Sequence, residues 1–101
     1  MADSGDKVAR NNLAFRTAND EIGTAAARQG LDDGRRTPFL CECPDPRCTE
    51  IVSLTLEEYR HVRSDPRWFV EMPGHEASEP APVAVIEERE GYVVVEKPTT
   101  V

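Results

Sequence analysis

The chain has 101 residues, a mean hydropathy of -0.54 and a net charge of -7. Residues 37–101 carry thirteen acidic against six basic side chains and so hold the whole of that charge. Such a surface repels phosphate backbones, which disfavours nucleic-acid binding by this part of the chain. A chain of this length buries only about two thirds of its unfolded surface, so a metal, a disulfide or a partner chain commonly adds stability.

No stretch approaches the roughly 18 apolar residues that a membrane-spanning helix needs. The first dozen residues also lack the apolar segment of a signal peptide. These features predict no membrane partner and a cytoplasmic location, where thiols stay reduced. The cysteines number three, so a closed disulfide framework cannot use them all.

The first third of the chain is predicted to be helical. Residues 1–6 are expected to be a disordered tail, and residues 7–36 a helical arm and loop. The helix should run from Lys7 to Gln29, because this stretch lacks proline, is rich in alanine and is followed by Gly30.

A narrow apolar stripe runs along this predicted helix. Val8, Phe15 and Ile22 recur every seven residues, and Ala18 and Ala25 lie between them. The stripe either packs on the chain's own domain or contacts another protein or a second copy of the chain. Phe15, Ala18 and Ile22 are therefore the candidate partner-binding residues.

Residues 37–101 are predicted to fold as one compact α+β domain. Strands are expected at 37–41, 50–54, 67–72, 83–88 and 92–97, the last two forming a hairpin. A helix should begin after Thr55, since Glu58 follows at the spacing of a capping box, and should end at Asp65, before Pro66. The expected core residues are Phe39, Ile51, Leu54, Tyr59, Trp68, Phe69, Val85, Val93 and Val95.

The cysteines lie close together, in the segment FLCECPDPRCTEI. Side chains two apart on a strand face the same way, so Cys41 and Cys43 can approach one centre. The turn-forming residues 44–47 would return Cys48 to it. Three clustered thiolates suit a soft tetrahedral cation, of which zinc is the commonest. The alternatives are redox-active thiols, or reduced thiols that pack as small apolar groups.

A closed structural metal site needs a fourth ligand. His75 is favoured, because it follows a predicted strand in the turn PGHE, where a tight loop can aim the imidazole inward. His61 is interpreted as an ordinary helix residue beside two arginines. Oxygen ligands from Glu42, Asp45 or Glu50 are the remaining alternatives.

Several segments resemble a family of small, largely uncharacterised actinobacterial proteins. The matching stretches are FLCECPDPRCTEIVSLTLEEYRHVR, RWFVEMPGHE and GYVVVEK. The family shares a CxCx4C segment, an LTxxEYxxVR helix, a PGHE turn and a terminal YVVVEK strand, and the similarity spans residues 10 to 97. The resemblance implies that His75 joins Cys41, Cys43 and Cys48, and it implies no enzymatic activity.

These features together predict an N-terminal helix followed by a small zinc-stabilised antiparallel sheet with one packed helix. A Cys3His shell leaves no open position for substrate, and the chain lacks H-E-x-x-H and Gly-rich phosphate motifs, so no enzymatic activity is expected. The leading hypothesis is a structural or regulatory zinc module that acts through protein–protein interaction. The alternative is a redox switch, in which oxidation of Cys41 or Cys48 releases zinc. A weaker hypothesis is a nucleic-acid accessory role through Arg28, Arg35 and Arg36.

Overall fold

The structure, a computed structural model, describes residues 4–31 and 33–97, with side chains described from residue 13 onward. The helices and strands confirm the predicted α+β class. In chain order they are α1 (Ser4–Arg28), β1 (Arg36–Leu40), β2 (Ile51–Thr55), α2 (Leu56–Arg63), β3 (Trp68–Glu71), a 3-10 turn (His75–Ser78), β4 (Ala84–Arg89) and β5 (Tyr92–Glu96).

The first helix begins earlier than the sequence predicts. It starts at Ser4, so residues 4–6 of the expected tail are helical, while residues 1–3 lie outside the described part of the chain. The side chain of Val8, part of the predicted stripe, also lies outside it. Neither helix, within the residues described, is long and apolar enough to cross a membrane.

The strands form two small antiparallel sheets, where the sequence predicted one. One sheet pairs β1 with β2, and the other has the order β3-β5-β4. The chain leaves the first sheet because the N-cap of α2, Thr55, is also the last residue of β2. A backbone hydrogen bond of 2.8 Å, from the N–H of Glu42 to the carbonyl of Val70, joins the segment after β1 to β3.

The helix α2 starts at the predicted capping box. The Thr55 hydroxyl accepts a hydrogen bond from the Glu58 N–H at 3.1 Å, and the Glu58 carboxylate accepts one from the Thr55 N–H at 2.8 Å. These two bonds satisfy backbone donors that a helix start otherwise leaves unpaired. The helix then buries one face, which consists of Leu56, Tyr59 and Val62.

The main core lies between the helices and the two sheets. Its buried members are Ala26, Phe39, Val52, Leu54, Leu56, Tyr59, Val62, Val70, Tyr92 and Val94. At its centre the rings of Phe39 and Tyr59 stack with centroids 4.3 Å apart. Alternation along the central strand β5 places Val93 and Val95 on the opposite face, where they pack with Phe69.

The prediction is wrong for two of the expected core residues, Ile51 and Val85. Ile51 is 47% exposed and Val85 is 40% exposed. Ile51 lies three positions from Leu54 on one strand, so the two side chains face opposite sides, and Leu54 is the buried one. Val85 lies on the edge strand β4, beside a bulge in the register with β5. Trp68, the first residue of the edge strand β3, is half-buried.

Three charged side chains are buried together under this second sheet. The Lys97 ammonium lies 2.9 Å from a carboxylate oxygen of Glu71 and 2.7 Å from one of Glu79. The three side chains are at most 4% exposed. With both carboxylates ionised, this group carries one negative charge more than its lysine balances. Burial, followed by the hydrogen bond with Glu79, raises the pKa of Glu71 to about 8.

The raised pKa of Glu71 predicts that stability falls as the pH rises. The folded state keeps a proton that the unfolded state releases between its ordinary carboxyl pKa and about 8, so the free energy of unfolding declines through that window. Glu71→Gln leaves the buried group electrically balanced. We expect it to flatten the decline between pH 6 and 8.5 and to stabilise the protein by about 1 kcal/mol or more at the upper end.

Urea unfolding at a series of pH values measures this effect. Glu88→Gln is the matched control, because Glu88 is an exposed carboxylate on β4. An equal change of slope in both variants would contradict the assignment to the buried group.

Candidate metal centre

The structure brings together the ligand atoms of Cys41, Cys43, Cys48 and His75, all within 4.8 Å of one another. The Nδ1 atom of His75 lies 3.5 Å from the sulfur of Cys41 and 3.6 Å from that of Cys48. Zinc bonds of about 2.3 Å to sulfur and about 2.05 Å to nitrogen, meeting at the tetrahedral angle, separate the two ligand atoms by about 3.6 Å. The separations are therefore those of two ligands on one tetrahedral cation.

The cysteine segment leaves β1 with alternating side chains. Cys41 and Cys43 face the centre, and both are buried. The chain then turns back at Asp45, whose carboxylate accepts a hydrogen bond from the Arg47 N–H at 2.9 Å. The Asp45 carbonyl accepts another from the Cys48 N–H at 3.1 Å, which closes the turn and returns the third thiol.

The turn after β3 aims His75 at the thiols. The His75 N–H donates to the carbonyl of Met72 at 2.9 Å, which closes a tight turn across Pro73 and Gly74. Gly74 has a φ of 94°, a left-handed conformation that favours glycine. The His75–Ser78 turn follows at once, so the imidazole is held where the backbone changes direction.

Burial governs the protonation of the thiols. It raises the pKa of both Cys41 and Cys43 above the usual thiol value. The N–H of Met72 opposes this effect, since it donates to the Cys41 sulfur at 3.3 Å and so stabilises the thiolate. Three neighbouring thiolates need a cation to coexist in such surroundings, and a metal ion would supply that charge.

The alternative ligands lie elsewhere. The exposed imidazole of His61 lies 2.7 Å from a carboxylate oxygen of Glu87 and does not belong to the cysteine group. Glu42 is fully buried but takes part in a different set of hydrogen bonds. Asp45 and Glu50 are exposed and line an open cleft of about 510 Å³ beside the cluster. Among the residues that the structure describes, the group that can hold a metal is thus Cys3His, and its three thiols form no disulfide.

The predicted partner-binding stripe divides along α1. Phe15 and Ala18 are half-buried, and Ile22 packs against the main core. Leu13, on another face of the helix, is 56% exposed. Ile22 therefore serves the chain's own fold, whereas Ala25, at the C-terminal end of the stripe, is exposed.

Sequence reasoning missed the buried polar residues behind the cysteines. Asn19 and Glu42 are both 0% exposed and hydrogen-bonded to each other, and Arg63 pairs with Glu42. Strand alternation offered one signal, because the residue between two inward-facing cysteines must face the opposite side. Nothing in the local sequence showed that this side is also buried.

The fold and the site define a small α+β domain with a Cys3His group suited to a metal ion. Comparison with protein-family models, with curated proteins and with solved structures gives no match.

Proposed function

We propose that the chain is a zinc-binding structural and regulatory module that acts through protein–protein contacts. The observation that carries the proposal is the convergence of three thiols and one imidazole within 4.8 Å, with sulfur–nitrogen separations of 3.5 and 3.6 Å. Thiolate and imidazole ligands in a tetrahedral arrangement are the set that structural zinc prefers.

The same geometry supports a non-catalytic role. Catalytic zinc sites have three protein ligands and keep a position for water or substrate. Four protein ligands complete a tetrahedral shell, so a bound ion would have no position for a reacting group. The open cleft beside the cluster gives access to the ligands without providing a vacant coordination position.

A bound zinc ion would tie together two parts of the chain. The thiols come from the segment that joins β1 to β2, and His75 comes from the turn after β3 in the second sheet. Structural zinc in small domains contributes roughly 10–16 kcal/mol, which is as large as the whole stability of an ordinary domain. Metal binding would therefore govern how the two sheets are held together.

Metal content tests the ligand set. We expect the purified protein to hold one zinc ion per chain, and Cys48→Ser and His75→Ala to lose it, since each removes one of four ligands. His61→Ala is the matched control and should retain the ion, because His61 pairs with Glu87 outside the cluster. Elemental analysis of the purified proteins gives the stoichiometry. Full zinc content in both ligand variants would refute the site.

The partner contact is proposed at the N-terminal part of α1. Phe15 and Ala18 are half-buried, so part of their apolar surface stays open to a partner there. The partner would be another protein or a second copy of the chain, in the cytoplasm, where the thiols stay reduced. The acidic surface of residues 37–101 makes nucleic acid an unsuitable partner.

Substitution on this part of α1 tests the contact. Sedimentation velocity of the zinc-loaded protein detects a second copy, and a photoreactive amino acid at position 18 captures another protein in cells. We expect Phe15→Glu to abolish the association found and Thr17→Glu, on an exposed position of the same helix, to spare it. A monomer that forms no crosslinked product would contradict the proposed contact.

A redox switch is the second candidate function, and the exposure of Cys48 favours it. Cys48 is half-buried and lines the open cleft beside Arg47, whereas Cys41 and Cys43 are buried. The Cys48 thiolate would attack hydrogen peroxide, break the O–O bond and become a sulfenic acid, while the departing hydroxide takes up a proton from solvent and becomes water. A neighbouring thiol, such as Cys43, would then displace a second water and form a disulfide, so two thiols reduce one peroxide and the metal loses two ligands.

Zinc release during peroxide treatment tests the switch. We expect about one zinc ion to be released as two thiols are lost, and the subsequent addition of a dithiol reductant with zinc to restore the site. A chromophoric zinc indicator follows the ion, and mass spectrometry of the intact chain follows the loss of two hydrogens. Retention of zinc at peroxide concentrations that oxidise exposed thiols in other proteins would exclude this function.

A further inference from the structure

The side chain of Asn19 fastens α1 to the cysteine segment. Its amide nitrogen donates to the carbonyl of Leu40 at 3.0 Å, and its amide oxygen accepts from the Leu40 N–H at 2.8 Å. The same nitrogen donates to the carboxylate of Glu42 at 2.7 Å. Asn19 is 0% exposed, so all three bonds lie in the protein interior. An α1 side chain thus binds the residues immediately before and after Cys41.

Glu42 makes further contacts with β3, with α2 and with the residue after β5. The N–H of Val70 donates to its carboxylate at 2.9 Å, and the guanidinium of Arg63 forms an ion pair with it. The Lys97 ammonium donates to the backbone carbonyl of Glu42 at 2.8 Å. Contacts from α1, α2, β3 and the residue after β5 therefore fix the one residue that separates Cys41 from Cys43.

We propose that Asn19, acting through Glu42, is a positioning residue of the metal centre, and that the docking of α1 and the retention of the metal are coupled. This inference rests on the proposed zinc site. The backbone at Glu42 can take one orientation at a time, so the hydrogen bonds on one side set the direction of the two thiols on the other. Outer residues that orient metal ligands commonly change affinity by about ten- to one-hundredfold.

The coupling works in both directions. A bound ion holds Cys41 and Cys43 in place, which keeps the Glu42 carboxylate buried against Asn19 and Arg63. Loss of the ion allows this backbone to move and the carboxylate to reach water. The contact between Glu42 and Asn19 of α1 then weakens. Coupling free energies are reciprocal. The free energy by which metal binding stabilises the docking of α1 therefore equals the free energy by which that docking stabilises metal binding. A protein bound to the N-terminal part of α1 would accordingly change the rate at which the metal dissociates.

The rate of metal release from the intact, zinc-loaded chain tests this proposal. Excess chromophoric chelator is added to the wild type and to Asn19→Ala at neutral pH, and the appearance of the zinc complex is followed. We expect release from Asn19→Ala to be about ten- to one-hundredfold faster, because its ligand segment is no longer held on one side. The cobalt-substituted variant should keep the thiolate charge-transfer bands of the wild type, since its ligands are unchanged.

Two controls separate positioning from a general loss of stability. Thr17→Ala changes an exposed position of the same helix and should release zinc at the wild-type rate. Val62→Ala opens a cavity in the core through a residue of α2 that lies outside the Asn19 and Glu42 contacts. We expect it to lower the urea midpoint while leaving metal release slower than in Asn19→Ala.

The outcomes distinguish this inference from the proposed zinc site. A wild-type protein without stoichiometric metal would refute the site itself. Wild-type release kinetics in a metal-loaded Asn19→Ala, or equal acceleration in Asn19→Ala and Val62→Ala, would refute the coupling alone. If Asn19→Ala fails to fold, Glu42→Gln replaces it, because this change removes the charge that faces Arg63 and keeps the side-chain size. Unchanged metal release in Glu42→Gln would then refute the coupling.

Discussion

The structure depends on the alternation of three side chains in the segment Cys41–Glu42–Cys43. The two thiols face a centre that can hold a metal ion, and the carboxylate between them faces a fully buried set of partners. A buried carboxylate without partners would be strongly destabilising, and here Asn19, Arg63 and a backbone N–H supply them. One short strand-like segment thus links the metal centre, both helices and the second sheet.

The Cys3His group is placed where a bound metal ion would hold separate parts of the fold together. The Cys3His group spans a connection of the first sheet and a turn of the second, so an ion there would hold together two sheets that are each small. A chain of this size has a limited apolar core, and a metal ion can supply the missing stability. Burial raises the pKa of Glu71, so the stability of the fold is expected to depend on pH. We propose that the function lies on the surfaces that a bound ion would hold in position, above all on α1.

The sequence predicted features that follow from local spacing. The capping-box spacing of Thr55 and Glu58 predicted where α2 begins. The i, i+2 spacing of Cys41 and Cys43 predicted that both thiols lie on the same side of the cysteine segment. Gly74 before His75 indicated a turn, and the structure shows the positive φ that favours glycine there. The four residues that the structure brings together are those that spacing and turn chemistry singled out.

Features that depend on long-range packing could not be predicted in this way. The burial of Asn19 and Glu42 results from the docking of α1 on a segment more than twenty residues away. Ile51 and Val85 have core-like identities, yet strand register and an edge position leave them exposed. X-ray absorption at the zinc edge of the native protein tests the central claim most directly. We expect about three sulfur ligands at about 2.3 Å and one nitrogen at about 2.0 Å, and a shell dominated by oxygen, or one of four sulfurs, would contradict the proposed zinc site.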